Sequence, residues 1–139
     1  METKLQRTDL WHSQRRGRFT ASEIHKLLGV KGLGETGISY ARKKAQEVVF
    51  GIDPEWNISD YNMRRGIEQE PIAFELFKNK MALDFIEVQE CSFFPIGANA
   101  GSSPDGLVGS DAILEIKCPS NELFFLLVEK GHKAIKKDY

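Results

Sequence analysis

A carboxylate and an ammonium stand two residues apart in "AILEIKC", as Glu115 and Lys117, and Asp105 follows Pro104 ten positions before Glu115. In an extended strand side chains alternate faces. Ile113, Glu115 and Lys117 then share one face, and Leu114, Ile116 and Cys118 the other. Residues i and i+2 on one face lie about 7 Å apart, near enough to act on one small ligand but too far for a direct ion pair without bending. A glycine-bounded turn between Asp105 and Glu115 would lay the two segments side by side and bring two carboxylates together beside a lysine. Such an oxygen-rich set suits Mg²⁺ or Mn²⁺, with the backbone carbonyl of Ile116 as a further oxygen. Lys117 would orient or deprotonate an attacking water, and the ion would neutralise charge on a phosphate. The competing reading is a surface hairpin whose Glu115 and Lys117 face solvent. Glu70 weighs against it, because a carboxylate on the core side of a helix needs a partner, and a metal is one such partner.

Several elements must position these residues. "TASEIHKLLG" reads as a short helix with a Thr20–Glu23 capping box, an apolar stripe of Ala21, Ile24 and Leu28, and Gly29 as its stop. "VKGLGETG" reads as a loop, "ISYARKKAQEVVFG" as a helix ending on Gly51, and "IDPEWN" as a turn-rich connection. The spacing predicts a helix over 67–81 that starts within one turn of Pro71 or kinks there. Glu70, Ala73, Phe77 and Met81 share one of its faces, with Leu76 adjacent. Strands follow in "FIEVQECSFFP", near "GANAGS", in "GLVG" and in "AILEIKCP". Helical segments "SNELFFLLVEKG" and "HKAIKKDY" close the chain. Helices, then antiparallel-looking strands, then helices make an α/β protein in the α+β sense.

The 139 residues suit one domain, 1–139, of ordinary composition, with no apolar run long enough to span a membrane. The N-terminus has no apolar signal-like segment, and the two cysteines form no metal-ligand or disulfide pattern. A cytoplasmic location with reduced thiols is the expectation. The net charge of −1 hides a strong polarity. Residues 1–50 carry ten Lys/Arg against five Asp/Glu, and residues 51–129 carry five against fourteen. A basic part beside an acidic part could hold a polyanion and a cation at once, or simply present two differently solvated surfaces. His12, His25 and His132 show no ligand spacing, and two cysteines cannot supply the four ligands of an iron–sulfur cluster.

Pro104-Asp105 with Glu115-Ile116-Lys117 resembles the PD-(D/E)XK nuclease signature, which belongs to enzymes with a restriction-endonuclease-like core. The wider "SSPDGLV…LEIKCP", "WHSQRRGRFTASEIHKLLG" and "RGIEQEP" resemble, in order, the blocks of the phage lambda exonuclease family of YqaJ-type viral recombinases. The resemblance implies a mixed central sheet flanked by helices. It also implies metal-dependent hydrolysis of one strand of linear duplex DNA from the 5′ end, in phage-type recombination. It assigns Asp105, Glu115 and Glu70 to a metal site holding two ions, and Lys117 to catalysis. Arg15, Ser22 and Ser103 match the positions that hold the DNA 5′-phosphate, and Trp11 matches an aromatic near the DNA end that could stack on a base or wedge the strands, whereas by itself a lone tryptophan reads equally as core. For Ser22 a place in the first turn of a helix supports anion binding independently. Double-stranded DNA ends, a single-strand-annealing recombinase and further copies of the chain are the implied partners. The family continues beyond the counterpart of Tyr139, so the chain is expected to lack a C-terminal portion. A catalytically incomplete DNA-end-binding module or inhibitor is therefore the alternative. Another nuclease of the superfamily, a restriction endonuclease or a junction resolvase, fits the end-phosphate set less well.

Overall fold

The computed structural model describes residues 6–54 and 60–131. The segment "HKAIKKDY", His132 and the end of "IDPEWN" lie outside the described residues. Helix α1 (Asp9–Arg15) starts where the Thr8 hydroxyl accepts the Trp11 N–H at 3.2 Å, and it leads into strand β1 (Phe19–Thr20) and a 3₁₀ helix (Ala21–Leu27). Helix α2 (Glu35–Phe50) ends on Gly51 in the left-handed conformation, φ 65°, as its sequence predicts. Helix α3 (Tyr61–Ala82) precedes five strands: β2 (Val88–Glu90), β3 (Phe94–Ile96), β4 (Ala100–Ser102), β5 (Gly106–Val108) and β6 (Ala112–Leu114). Helix α4 (Asn121–Lys130) follows, its first turn capped by the Ser120 hydroxyl on the Leu123 N–H.

The strands form two three-stranded sheets, β1-β4-β3 and β2-β5-β6. The first is mixed, with β1 parallel to β4, and the second is antiparallel. The expected α+β class holds, and the strands that would make one central sheet divide between two. Two neighbouring chain segments cross both sheets. β3 pairs β4 through Phe94↔Ser102, and β2 pairs β5 through Glu90↔Gly106. Between these pairs lie Cys91-Ser92-Phe93 on one side and Ser103-Pro104-Asp105 on the other. Pro104 has no N–H to donate, so a continuous ladder is not available there. The expected single strand "FIEVQECSFFP" is accordingly broken into β2 and β3.

Three further expectations are corrected. The Thr20–Glu23 capping box does not form: Thr20 Oγ1 lies 3.3 Å from Ser22 Oγ and 3.5 Å from the Tyr40 hydroxyl, while Glu23 pairs with Lys26. Ala21, Ile24 and Leu28 face solvent, and Thr20 and Tyr40 supply the buried side instead. Helix α3 begins not near Pro71 but ten residues earlier, where the Asp60 carboxylate accepts the Asn62 N–H at 3.2 Å. Its inward face includes Glu70, Ala73, Phe77 and Met81 as expected, but Leu76 is exposed and Phe74 is the buried anchor.

Two glycines set how closely the layers approach. A Cβ on Gly101 would fall 2.1 Å from the Phe93 ring, so that ring lies directly on the β4 backbone. A Cβ on Gly106 would fall 2.8 Å from Phe74 Cε2, so the bare backbone of β5 lets α3 seat against it. Glu70 is one turn before Phe74, and Asp105 is the neighbour of Gly106. The same contact therefore sets the spacing of the two carboxylates. Gly106→Ala is expected to destabilise the chain by about 1–3 kcal/mol through overpacking of the buried Phe74 ring. Urea unfolding checks it, and an unchanged midpoint would mean that α3 does not rest on this contact.

Candidate active site

Asp105 stands at the mouth of the break between the sheets. Its N–H donates to the Leu114 carbonyl at 3.0 Å, and its Oδ2 accepts the Ile116 N–H at 2.5 Å. The pair Gly106↔Leu114 is the last of the β5–β6 ladder, and beyond it the Asp105 side chain takes over the role of a strand partner. Strand β6 therefore stops at Leu114, and Glu115 and Lys117 do not sit on a regular strand face. Lys117 Nζ nevertheless reaches Glu115 Oε1 directly, at 2.5 Å, an ion pair the two-residue spacing was expected to preclude without bending. Both of these side chains are more than half exposed.

Asp105, Glu70 and Ile116 line one cleft, together with Arg7, Glu90 and Pro71. Glu115 is outside its wall, but its charge is felt within. Burial pushes the Asp105 carboxyl above the usual carboxylate range, and the charges of Glu115 and Glu70 push it the same way against the Ile116 hydrogen bond. Lys117 loses solvation by burial, yet its hydrogen bond to Glu115 and the charges of Glu115, Asp105 and Glu70 hold its pKa above the usual value. Among the described residues no three of His, Cys, Asp and Glu already form a metal cluster. Glu70 instead accepts from Arg7 at 2.9 Å, and Glu115 from Lys117. The donor set fits a hard divalent cation: it is all oxygen, and its carboxylates repel one another in a way that a cation would relieve. Glu90 was not foreseen from the sequence. Its register opposite Gly106 brings it to the cleft, a signal that pairing "VQE" with "GLV" as antiparallel neighbours would have found.

The expected phosphate residues gather one step away. Strands β1 and β4 run parallel with Thr20 opposite Gly101, so Ser22 and Ser103 each follow two residues later at the same end of the sheet. Ser103 Oγ accepts from Trp11 Nε1 at 2.9 Å and from Arg15 Nη1 at 3.3 Å. With both lone pairs taken, its own hydroxyl is left to donate. Arg15 is 9% exposed, its guanidinium carbon 4.2 Å from the Trp11 ring centroid. Burial lowers its pKa, opposed by Glu23, Tyr40 and Glu47, and an arginine stays charged in any case. Trp11 is 3% exposed. The indole expected to stack on a DNA end is thus committed to holding Ser103 and Arg15. Ser22 is exposed, its Oγ 3.3 Å from Thr20 Oγ1, on a seven-residue 3₁₀ helix where an α-helix was expected.

A buried ion pair braces this pocket. Lys44 Nζ lies 3.0 Å from each oxygen of Glu47, both side chains being nearly inaccessible, and Glu47 Oε2 also accepts the Gly17 N–H at 2.8 Å. Gly17 has φ 69°, and a Cβ there would strike Val48 at 2.3 Å. The turn that follows Arg15 is therefore tied to α2 at a position only glycine accommodates.

The profile of the YqaJ-like viral recombinase domain matches residues 10–139. The chain belongs to this family. An alkaline exonuclease, LHK-Exo, from Laribacter hongkongensis shares its fold with a TM-score of 0.73 and 28% identity. The superposition covers 95% of this chain and 63% of that one, so the chain spans less than two thirds of the exonuclease. The same exonuclease in complex with dAMP matches equally well. No match is found among curated proteins.

In this YqaJ-like domain the raised Asp105 pKa has a thermodynamic sign. The folded state holds that proton more tightly than the unfolded chain does. Ionising Asp105 therefore costs stability as pH rises through the carboxylate range, and the cost persists above the raised pKa. Asp105→Asn removes the charge and keeps an acceptor for Ile116. In chelator at neutral pH the variant should melt above the parent, and the gap should close as pH falls to about 4. A variant that melts below the parent under those conditions would make Asp105 a structural rather than a charge-strained group.

Proposed function

We propose that this chain is a metal-dependent DNA exonuclease that hydrolyses one strand of a linear duplex from its 5′ end, in phage-type recombination. One observation carries this reading: Ser103 and Asp105 are two residues apart on the loop between the sheets. The donors of Ser103 and Arg15 face an anion, and the carboxylates around Asp105 suit a cation. A strand whose terminal phosphate rests on the first would present its next phosphodiester to the second. The alkaline exonuclease fold of the structural relative, and its complex with dAMP, support the same substrate class.

Asp105, Glu115, Glu70 and the Ile116 carbonyl would hold Mg²⁺ or Mn²⁺, two ions in this reading. A bound divalent ion supplies Lewis-acid chemistry to the scissile phosphate and a place for the attacking water. Lys117, kept charged by Glu115, is suited to orient that water and to offset phosphate charge, and less to accept a proton. Arg15 and Ser103, with Ser22 beside Thr20, would bind the 5′-phosphate, and Trp11 fixes the first two in place. Partners of the proposed activity are duplex DNA ends, a single-strand-annealing recombinase and further copies of the chain. Among the described residues no helix is long and apolar enough to cross a membrane, and both cysteines are free thiols. A cytoplasmic site of action belongs to the same proposal.

A second reading has its own observation. Arg7 and Lys117 already engage two of the carboxylates, as in a catalytically incomplete DNA-end-binding module. A linear 5′-phosphorylated duplex incubated with and without Mg²⁺ separates the two. Mg²⁺-dependent loss of one strand, reduced at least about 100-fold in Asp105→Ala or Lys117→Ala, is the result expected of the enzyme. End binding without cleavage would leave the module. Arg15→Ala should lower the preference for 5′-phosphorylated over 5′-hydroxyl ends by about tenfold, the loss of one charge-assisted contact. Equal use of the two ends by the parent chain would remove the phosphate pocket from the proposal.

A further inference from the structure

The cleft already contains a cation of the protein's own. Arg7 Nη2 lies 2.9 Å from Glu70 Oε2, and both side chains are about three-quarters buried, with 23% and 27% exposure. Arg7 adopts φ 68°, a left-handed backbone that is costly for a residue with a Cβ. Its neighbours clamp it there. On one side the Gln6 amide donates to the Cys91 carbonyl at 2.9 Å and the Pro104 carbonyl at 2.8 Å, both in the break between the sheets. On the other side Thr8 caps α1. A strained residue held between two anchors, with its charge on a carboxylate of the cleft, is more than an incidental surface pair. Arg7 also borders a second, mainly apolar groove between α3 and α4, lined by Met63, Ile67, Leu123 and Lys117.

We infer that Arg7 is a resident counter-ion of the cleft that a divalent cation must displace from Glu70, so that metal binding is an exchange of one cation for another. This rests on the proposed metal site. The exchange lets a carboxylate-rich cleft remain folded without metal, at the expense of weaker metal binding. Arg7 is then a positioning residue: it acts through Glu70 and need not touch the substrate.

The test is Mn²⁺ titration of the full chain, followed by calorimetry, for the parent, Arg7→Ala and Arg7→Gln, with melting temperatures in chelator and in saturating Mn²⁺. Displacement of a partly buried ion pair predicts about fivefold tighter Mn²⁺ binding in both variants. It also predicts melting below the parent in chelator and a gap that closes in Mn²⁺. Weaker binding, or a gap that persists in Mn²⁺, would make Arg7 a fixed brace for Glu70 and overturn the exchange. Equal affinity in all three chains would also overturn it while leaving the metal site intact. Absence of Mn²⁺ binding in every chain would remove the metal site and the exchange together. If Arg7→Ala does not fold, Arg7→Gln keeps a side chain of similar length and carries the comparison.

Discussion

Pro104 interrupts a backbone ladder, and the rest of the site depends on that interruption. A continuous pairing of the segment 88–96 with 100–108 would turn every polar group between them inward to its neighbour. Without an N–H at Pro104 the two segments part for three residues, and the chain passes from one sheet to the other. The parted backbone needs new partners, and the Gln6 amide supplies them at the Cys91 and Pro104 carbonyls, while the Asp105 carboxylate at the edge of the break takes the Ile116 N–H. The opening is thus a place where side chains do the work of a ladder, and their charges come with them. Ser103 falls on the side of the hydrogen-bond donors and Asp105 on the side of the carboxylates.

The two halves of the site are built on opposite electrostatic principles. Around Ser103, charged groups are buried and paired: Arg15 lies on Trp11, and Lys44 lies on Glu47, which also holds the Gly17 amide. Breaking such a buried pair by removing one partner would cost about 3–5 kcal/mol, so the pocket is rigid because its parts are too expensive to separate. Around Asp105 the charges range from partly buried, Arg7 with Glu70, to half-exposed, Glu115 with Lys117, and pair with short-range partners. Rigidity on one side and exchangeability on the other suit the proposed activity, in which a chain end would be held still while ions come and go.

Much of this was legible in the sequence, and for identifiable reasons. Asp105, Glu115 and Lys117 stand out because their residue types are wrong for a buried strand, and α2 because its glycine stop is a local signal that tertiary structure did not override. The capping box failed because Thr20 found Tyr40, twenty residues away, a partner that no local rule contains. Helix α3 was placed too late because Pro71 was read as a start, whereas Asp60 capped an earlier turn. Trp11 reads equally as core by itself, and it is buried, but no local rule contains the serine it meets ninety-two residues on. Arg7 was missed for a different reason: its partner, Glu70, was itself read as a metal ligand, and the residue that neutralises it lies on a segment with no periodicity to mark it.

The geometry at Ser103 has a consequence for selectivity. With both lone pairs of its oxygen occupied by Trp11 and Arg15, the hydroxyl cannot turn round to accept. A pocket of fixed donors rewards a ligand that offers only acceptors and leaves donors stranded when the ligand brings a proton of its own. In the proposed phosphate pocket, discrimination would come less from how well the right chain end is held than from how many hydrogen bonds the wrong one leaves unmade.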